Sequence, residues 1–186
     1  MRYKSINPRF IVILSVILMA ALIRLLPHWP NFTPIAAMAL FAGTYLDKKQ
    51  YAFAIPIAAM FLSDLVIGLN ANMPAVYLSF AITVLIGMLI RKKVNVGTVL
   101  IASFSSAVIF FLITNFSAWL ASPYYPQNPA GLIECYIAGL AFFRDATNGV
   151  SFFLNDFLGT TFFSAVFYGS FYLVGMRFPV LDRSRF

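Results

Sequence analysis

Charge is what this chain has least of. Aspartate and glutamate together number six in 186 residues, and all charged residues make up 10%. A water-soluble domain carries roughly 25%. There is one cysteine, Cys135, which excludes an intrachain disulfide. Catalytic signatures are missing too. No H-E-x-x-H, G-x-S-x-G, P-loop or C-x-x-C occurs, so the chain cannot hydrolyse ATP by a P-loop mechanism. No internal repeat or low-complexity segment stands out. The pattern asks for no cofactor, and the expectation is that the chain is not an enzyme.

Apolar residues fill the space that charge leaves. They make up 61% of the chain, with mean hydropathy +0.87. No soluble fold of this size hides so much apolar surface, so lipid is the expected solvent. Runs separated by charge, Pro, Gly and Asn predict an all-α polytopic membrane protein of about six spans in one domain, 1–186. The spans fall at about 10–26, 35–46, 51–69, 75–90, 98–121 and 149–175. The first reads as a retained helix and not as a removed signal peptide. The second covers only about 18 Å at 1.5 Å per residue, and would borrow from the polar connector 27–34 or sit in thinned bilayer. Residues 131–143 are too few to span and predict a re-entrant or interfacial helix.

Placing the N-terminus inside gathers 11 of the 13 basic residues on one side, all but Arg24 and Arg144. The opposite loops, Gly68–Pro74 and Ser122–Ala130, carry no charge. This positive-inside pattern predicts both termini in the cytoplasm, and it explains the net charge of +7 without nucleic acid. Contact of the basic loops with membrane lipids is expected of any such protein.

The remaining polar residues concentrate toward the outer side. They are Arg24, His28, Asn31, Asp64, Asn115, Trp119, Glu134, Arg144, Asp145, Asn155 and Asp156. Ionisable groups at membrane depth are expensive, so they pair or line a wet cavity. One reading is an outward-facing pocket, with Arg24, Asp64, Arg144 and Asp156 setting its polarity. Asn31, Asn115 and Asn155 would hydrogen-bond a ligand there, and His28 and Trp119 would border it. The competing reading is structural pairing, Arg24 with Asp64 and Arg144 with Asp156. Asp156, about two turns into the last span, is the foremost candidate. His28 and Cys135 are weak candidates for a metal or cobalt ligand, since a loop residue near the headgroups and an inert packed thiol are commoner. The aromatics Trp29, Trp119, Tyr124 and Tyr125 suit an interfacial belt. Ala39 with Gly43, and Ala54 with Ala58, form small-xxx-small pairs suited to close helix contact, inside the bundle or on a partner.

Several stretches carry a family likeness: Arg24-Leu-Leu-Pro-His-Trp-Pro-Asn-Phe-Thr-Pro-Ile-Ala-Ala37, Tyr77-Leu-Ser-Phe80, Thr114-Asn-Phe116, and Cys135-Tyr136 followed by Phe142-Phe-Arg144. Over most of its length the chain resembles an uncharacterised bacterial family of membrane proteins assigned to transport. That family is similar to the substrate-binding S-components of energy-coupling factor (ECF) vitamin transporters, the solitary cobalamin-binding type being the nearest characterised group. The resemblance implies an S-component-like bundle in the bacterial cytoplasmic (inner) membrane. It also implies an outward pocket built partly by the loop after span one, capture of a vitamin-like small molecule, and docking on a transmembrane coupling subunit with ATPases. The cobalamin-binding type uses a cysteine near the cobalt, and the one cysteine here is Cys135. Two rivals stand beside uptake. One is a structural or interaction subunit of a membrane assembly. The other is an intramembrane enzyme using His28, Cys135 or the carboxylates.

Overall fold

A computed structural model describes residues 7–140 and 151–178. Among them are seven α-helices and no strand. They are α1 (Pro8–Ile23), α2 (Ile35–Tyr45), α3 (Lys49–Ile67), α4 (Met73–Leu89), α5 (Val96–Ala121), α6 (Pro129–Leu140) and α7 (Phe152–Arg177). The six expected spans match α1 to α5 and α7 to within three residues at each end. Local chemistry sets these limits. Asn7 caps α1, its side chain accepting from Arg9 N at 3.0 Å, and Pro8 follows at the position where a missing N–H costs nothing. Asn95 and Thr98 form a reciprocal capping box at the start of α5. Ser151 accepts from Leu154 N at 3.1 Å and starts α7. Gly68, with φ of 109°, ends α3.

α3, α4, α5 and α7 are long and apolar enough to cross a membrane. They turn large apolar side chains outward, among them Phe61, Leu65 and Val66 on α3, Leu85 and Leu89 on α4, and Ile101 on α5. Exposed apolar faces on this scale suit hydrocarbon and not water. The chain is a helical membrane protein. α1, α2 and α6 are shorter than an ordinary span. α1, α3 and α5 begin, and α2, α4 and α7 finish, at one end of the bundle. Lys48, Lys49, Arg91, Lys92, Lys93 and Arg177 gather there, and it is called the basic end below.

The brevity of α2 has a different cause from the one expected. It is the axial helix of the bundle, in contact with α1, α3, α4, α5 and α7, and every residue from Ile35 to Thr44 is buried. It meets no lipid and so needs neither the connector nor a thinned bilayer. A helix that is apolar all round is a buried one. Its small side chains let the neighbours close in. Gly43 faces Gly87 of α4, where a Cβ on either would strike the carbonyl oxygen of Val84 or of Leu40. Thr44 Oγ1 donates to Leu40 O at 2.8 Å, and its pairing with the Tyr168 hydroxyl at 2.7 Å ties α2 to α7. Of the two small-xxx-small pairs, Ala39 and Gly43 thus serve packing inside the bundle, whereas Ala54 and Ala58 face outward from α3.

α6 runs antiparallel to the half of α5 remote from the basic end. Tyr136 Oη donates to Leu112 O at 2.8 Å, Cys135 Sγ to Asn115 O at 3.5 Å, and Gly139 abuts Phe111 and Asn115. The Phe111 ring also meets the first turn of α7, at 5.4 Å from the Phe153 centroid, and lies 5.6 Å from the Tyr136 ring of α6. The end of α6 and the start of α7 therefore meet at one level, well inside the length of α5.

Candidate functional site

The expected outer-side residues fall into separate groups. Arg24, just past the end of α1, is ion-paired with Asp64 of α3, and donates to Ser63 Oγ at 2.6 Å and Met60 O at 3.3 Å. Tyr77 of α4 donates to Asp64 Oδ2 at 2.7 Å. Asp64 is 1% exposed, so this is a buried staple across three helices, and its parts satisfy one another. The structural pairing expected for Arg24 and Asp64 is what the geometry holds.

The three asparagines serve the backbone. Asn115 Nδ2 donates to Phe111 O at 2.8 Å, one turn back on its own helix. Asn31 Nδ2 donates to Phe152 O at 3.3 Å, and Asn155 Nδ2 returns the bond to Pro30 O at 3.0 Å. Asn31 sits at φ 63°, a left-handed conformation that asparagine tolerates. Together these bonds seat the connector 27–34 on the first turns of α7. Phe32 adds ring contacts to Phe162 and Phe163, and a Cβ on Gly159 would stand 3.1 Å from Phe32 Cα. The connector is a plug closing the bundle opposite the basic end.

Trp119 Nε1 donates to Pro126 O at 2.9 Å, and Gln127 reaches back to Trp119 O at 2.7 Å, which folds the loop after α5. His28 lies with Pro27, Trp29 and Phe32 in an open surface cleft of about 610 Å³. Cys135 is buried between α6 and α5. His28 and Cys135 thus belong to different elements, and among the described residues no three His, Cys, Asp or Glu side chains come together as a metal site. Arg144 and Asp145 lie outside the described residues.

Asp156 stands apart from all of these. The sequence predicts it two turns into the last helix, but Ser151 starts that helix later, so Asp156 lies in its second turn. It is nevertheless 4% exposed, because α7 begins deep, level with Phe111. Asp156, Thr160 and Ser164 recur every four residues and so share one face of α7. At Ser164 this face meets α5, where Ser103 Oγ donates to Ser164 Oγ at 3.4 Å, and on the adjoining face the Phe157 ring meets Phe104 at 5.5 Å. α5 and α7 are antiparallel. Ser106, one turn beyond Ser103, therefore lies level with Thr160 and Thr161.

This seam is short of hydrogen bonds. Asp156 Oδ2, Thr160 Oγ1, Thr161 Oγ1 and Ser106 Oγ are buried with no partner among the described residues. Elsewhere in the same bundle helical hydroxyls bond the carbonyl one turn back. Ser79, Thr83 and Thr114 do so at 2.7 to 2.9 Å. An unmet buried polar group costs about 1–3 kcal/mol. Four of them, Asp156 Oδ2, Thr160 Oγ1, Thr161 Oγ1 and Ser106 Oγ, are left unmet by the described residues along this seam.

Toward the basic end the seam opens into a cavity of about 520 Å³ between α5 and α7. Ser103, Thr161 and Ser164 belong to its lining, as do the aromatic rings of Tyr45, Tyr168 and Tyr172. Asp156, Thr160 and Ser106 are not part of that lining and lie buried between it and the connector. Sequence reasoning passes over Ser103, Ser106, Thr160, Thr161 and Ser164, since lone hydroxyls in apolar helices are usually bonded to their own backbone. The four-residue spacing from Asp156 to Ser164 is the signal that picks them out.

No curated protein and no solved structure matches the chain. A family model does, over residues 4–181, and the chain belongs to that family: DUF6580, a family of unknown function.

Proposed function

We propose that this is a membrane transport protein that passes a small organic solute along the seam between α5 and α7. The observation that carries this reading is the set of buried oxygens on Asp156, Thr160, Ser106 and Thr161, unpartnered among the described residues, next to the cavity that Thr161 also lines. A carboxylate at membrane depth costs about 2.5–3.5 kcal/mol on insertion scales, and a bundle keeps it where water or a solute offsets that cost. By the positive-inside rule the basic end is cytoplasmic, with both termini inside. α6 and α7, meeting at Phe111, then act as two parts of one sixth crossing, a broken helix of the kind that transporters place at their binding sites. The arrangement is an inward-open state, with the plug 27–34 closing the outer side.

The likeness to S-components supplies the wider scheme. The solute is a vitamin-like molecule captured from outside across the bacterial inner membrane, and a separate coupling subunit with ATPases supplies the energy. The second reading, a structural subunit with no solute, draws on the staple of Arg24, Asp64 and Tyr77, whose parts are mutually satisfied.

Asp156→Asn tests the choice, since it keeps the shape and removes the charge. Native mass spectrometry of gently purified protein should find a small molecule retained by the wild type and lost from the variant, with thermal stability equal or higher. Lower stability with the same molecule retained would make Asp156 a structural residue and overturn the path.

A further inference from the structure

From the cavity at the basic end of the seam we infer the chemical class of the solute: an uncharged, flat molecule with a ring system at one end and hydroxyl or carbonyl groups at the other. This rests on the transport reading and deepens it. The volume of about 520 Å³ lies within the range of small-molecule sites. Among the described residues its lining holds no charged side chain. A charged solute would lose its hydration there without a counter-charge.

The lining is divided. Tyr45 and Tyr168 form an aromatic wall, their rings 5.5 Å apart, and the Tyr168 hydroxyl is already engaged by Thr44 at 2.7 Å. Tyr172 of the same lining is 67% exposed and offers a ring face for stacking. Toward the seam lie the hydroxyls of Ser103, Thr161 and Ser164, and Thr161 Oγ1 has no partner among the described residues. A lipid acyl chain would leave that oxygen unmet, whereas a hydroxyl or carbonyl of the solute would satisfy it. Gly169 completes the shape. A Cβ built on it meets nothing within 4 Å, so this glycine is not there for close packing, and it widens the cavity.

The test uses the full chain in lipid nanodiscs, with empty nanodiscs subtracted. The probe is 7-methoxycoumarin, an uncharged fused ring with a carbonyl, whose emission responds to its surroundings. The anionic control is 7-methoxycoumarin-3-carboxylate. The wild type should bind the neutral probe saturably and the anion at least tenfold more weakly. Gly169→Trp, which fills the cavity from a helical position with open space before it, should weaken the neutral probe at least tenfold. Ser103→Ala with Ser164→Ala leaves the volume and removes two hydroxyls, and should weaken it about fivefold. Melting temperatures check that each variant is folded. No saturable binding by the wild type, equal binding by folded Gly169→Trp, or tighter binding of the anion would each overturn the inference. The transport reading is scored separately by Asp156→Asn. If the coumarin fails while that variant still loses its retained molecule, the solute class is wrong and the path stands. If the coumarin binds as expected while Asp156→Asn loses nothing, the cavity is a site for this class and the path falls.

Discussion

Arg91, in the turn after α4, holds the end of the axial helix through Gly43. Its Nε donates to Gly43 O at 2.6 Å, and its Nη2 donates to Leu46 O at 2.6 Å. The last carbonyls of a helix have no partner within it. At the end of α2, enclosed by other helices, these two are met by one guanidinium. A fork of donors in fixed geometry does this, and a lysine does not.

Arg91→Lys is therefore expected to destabilise the bundle although it keeps the charge. A hydrogen bond to a charged group is worth about 1.5–3 kcal/mol, and at least one is lost. Thermal unfolding in detergent measures this. A lysine variant as stable as the wild type would mean that Arg91 serves only the charge pattern of the loops.

The staple of Arg24, Asp64 and Tyr77 should behave as a unit. Asp64→Asn strands Arg24 and should cost about 3 kcal/mol, toward the low end for broken buried pairs because Arg24 is partly exposed. Tyr77→Phe should cost about 1 kcal/mol. Replacing both charges, as Arg24→Met with Asp64→Leu, should recover most of the loss. None of these changes should alter which small molecule the protein retains. A change in retention without a change in stability would move this cluster from the scaffold to the solute path.

Sidedness is open to direct labelling. In a Cys135→Ser background, cysteines at Asn72 and Gln127 should react with an impermeant maleimide added outside intact cells, and a cysteine at Lys92 should react only after permeabilisation. Asn72 and Gln127 belong to the charge-free loops, and Lys92 to the basic end. The reverse pattern would invert the bundle and turn the open cavity outward.

How far the sequence carries depends on what each residue must do alone. The helices are legible because hydropathy and caps act locally, as Asn7, Asn95 and Gly68 do at their own termini. The burial of α2 was also within reach: Ala36, Ala37, Ala39, Ala42 and Gly43 leave no polar face, and a helix without one is enclosed. The candidate site is harder. Charge singles out Arg24, Asp64 and Asp156 equally, but the role of each depends on a partner set by tertiary packing. Asp64 has an arginine and a tyrosine against it, whereas the Asp156 Oδ2 has no partner among the described residues. The asparagines mislead for a related reason. Their amides are polar wherever they stand, and only the fold reveals that Pro30, Phe111 and Phe152 carbonyls take them up.

Enclosure of α2 also bears on how the protein is made. Eleven residues cover about 16 Å, roughly half the hydrocarbon thickness, so this segment cannot come to rest in the bilayer on its own. Its place is created by chain that leaves the ribosome afterwards, α3 and α4 first and α7 last. Assembly must then hold the α1–α2 segment in waiting until the final helix arrives. A nascent chain cut before α7 would leave Phe41 and Thr44 facing lipid or a chaperone, which makes the last helix the step at which synthesis becomes a folded protein.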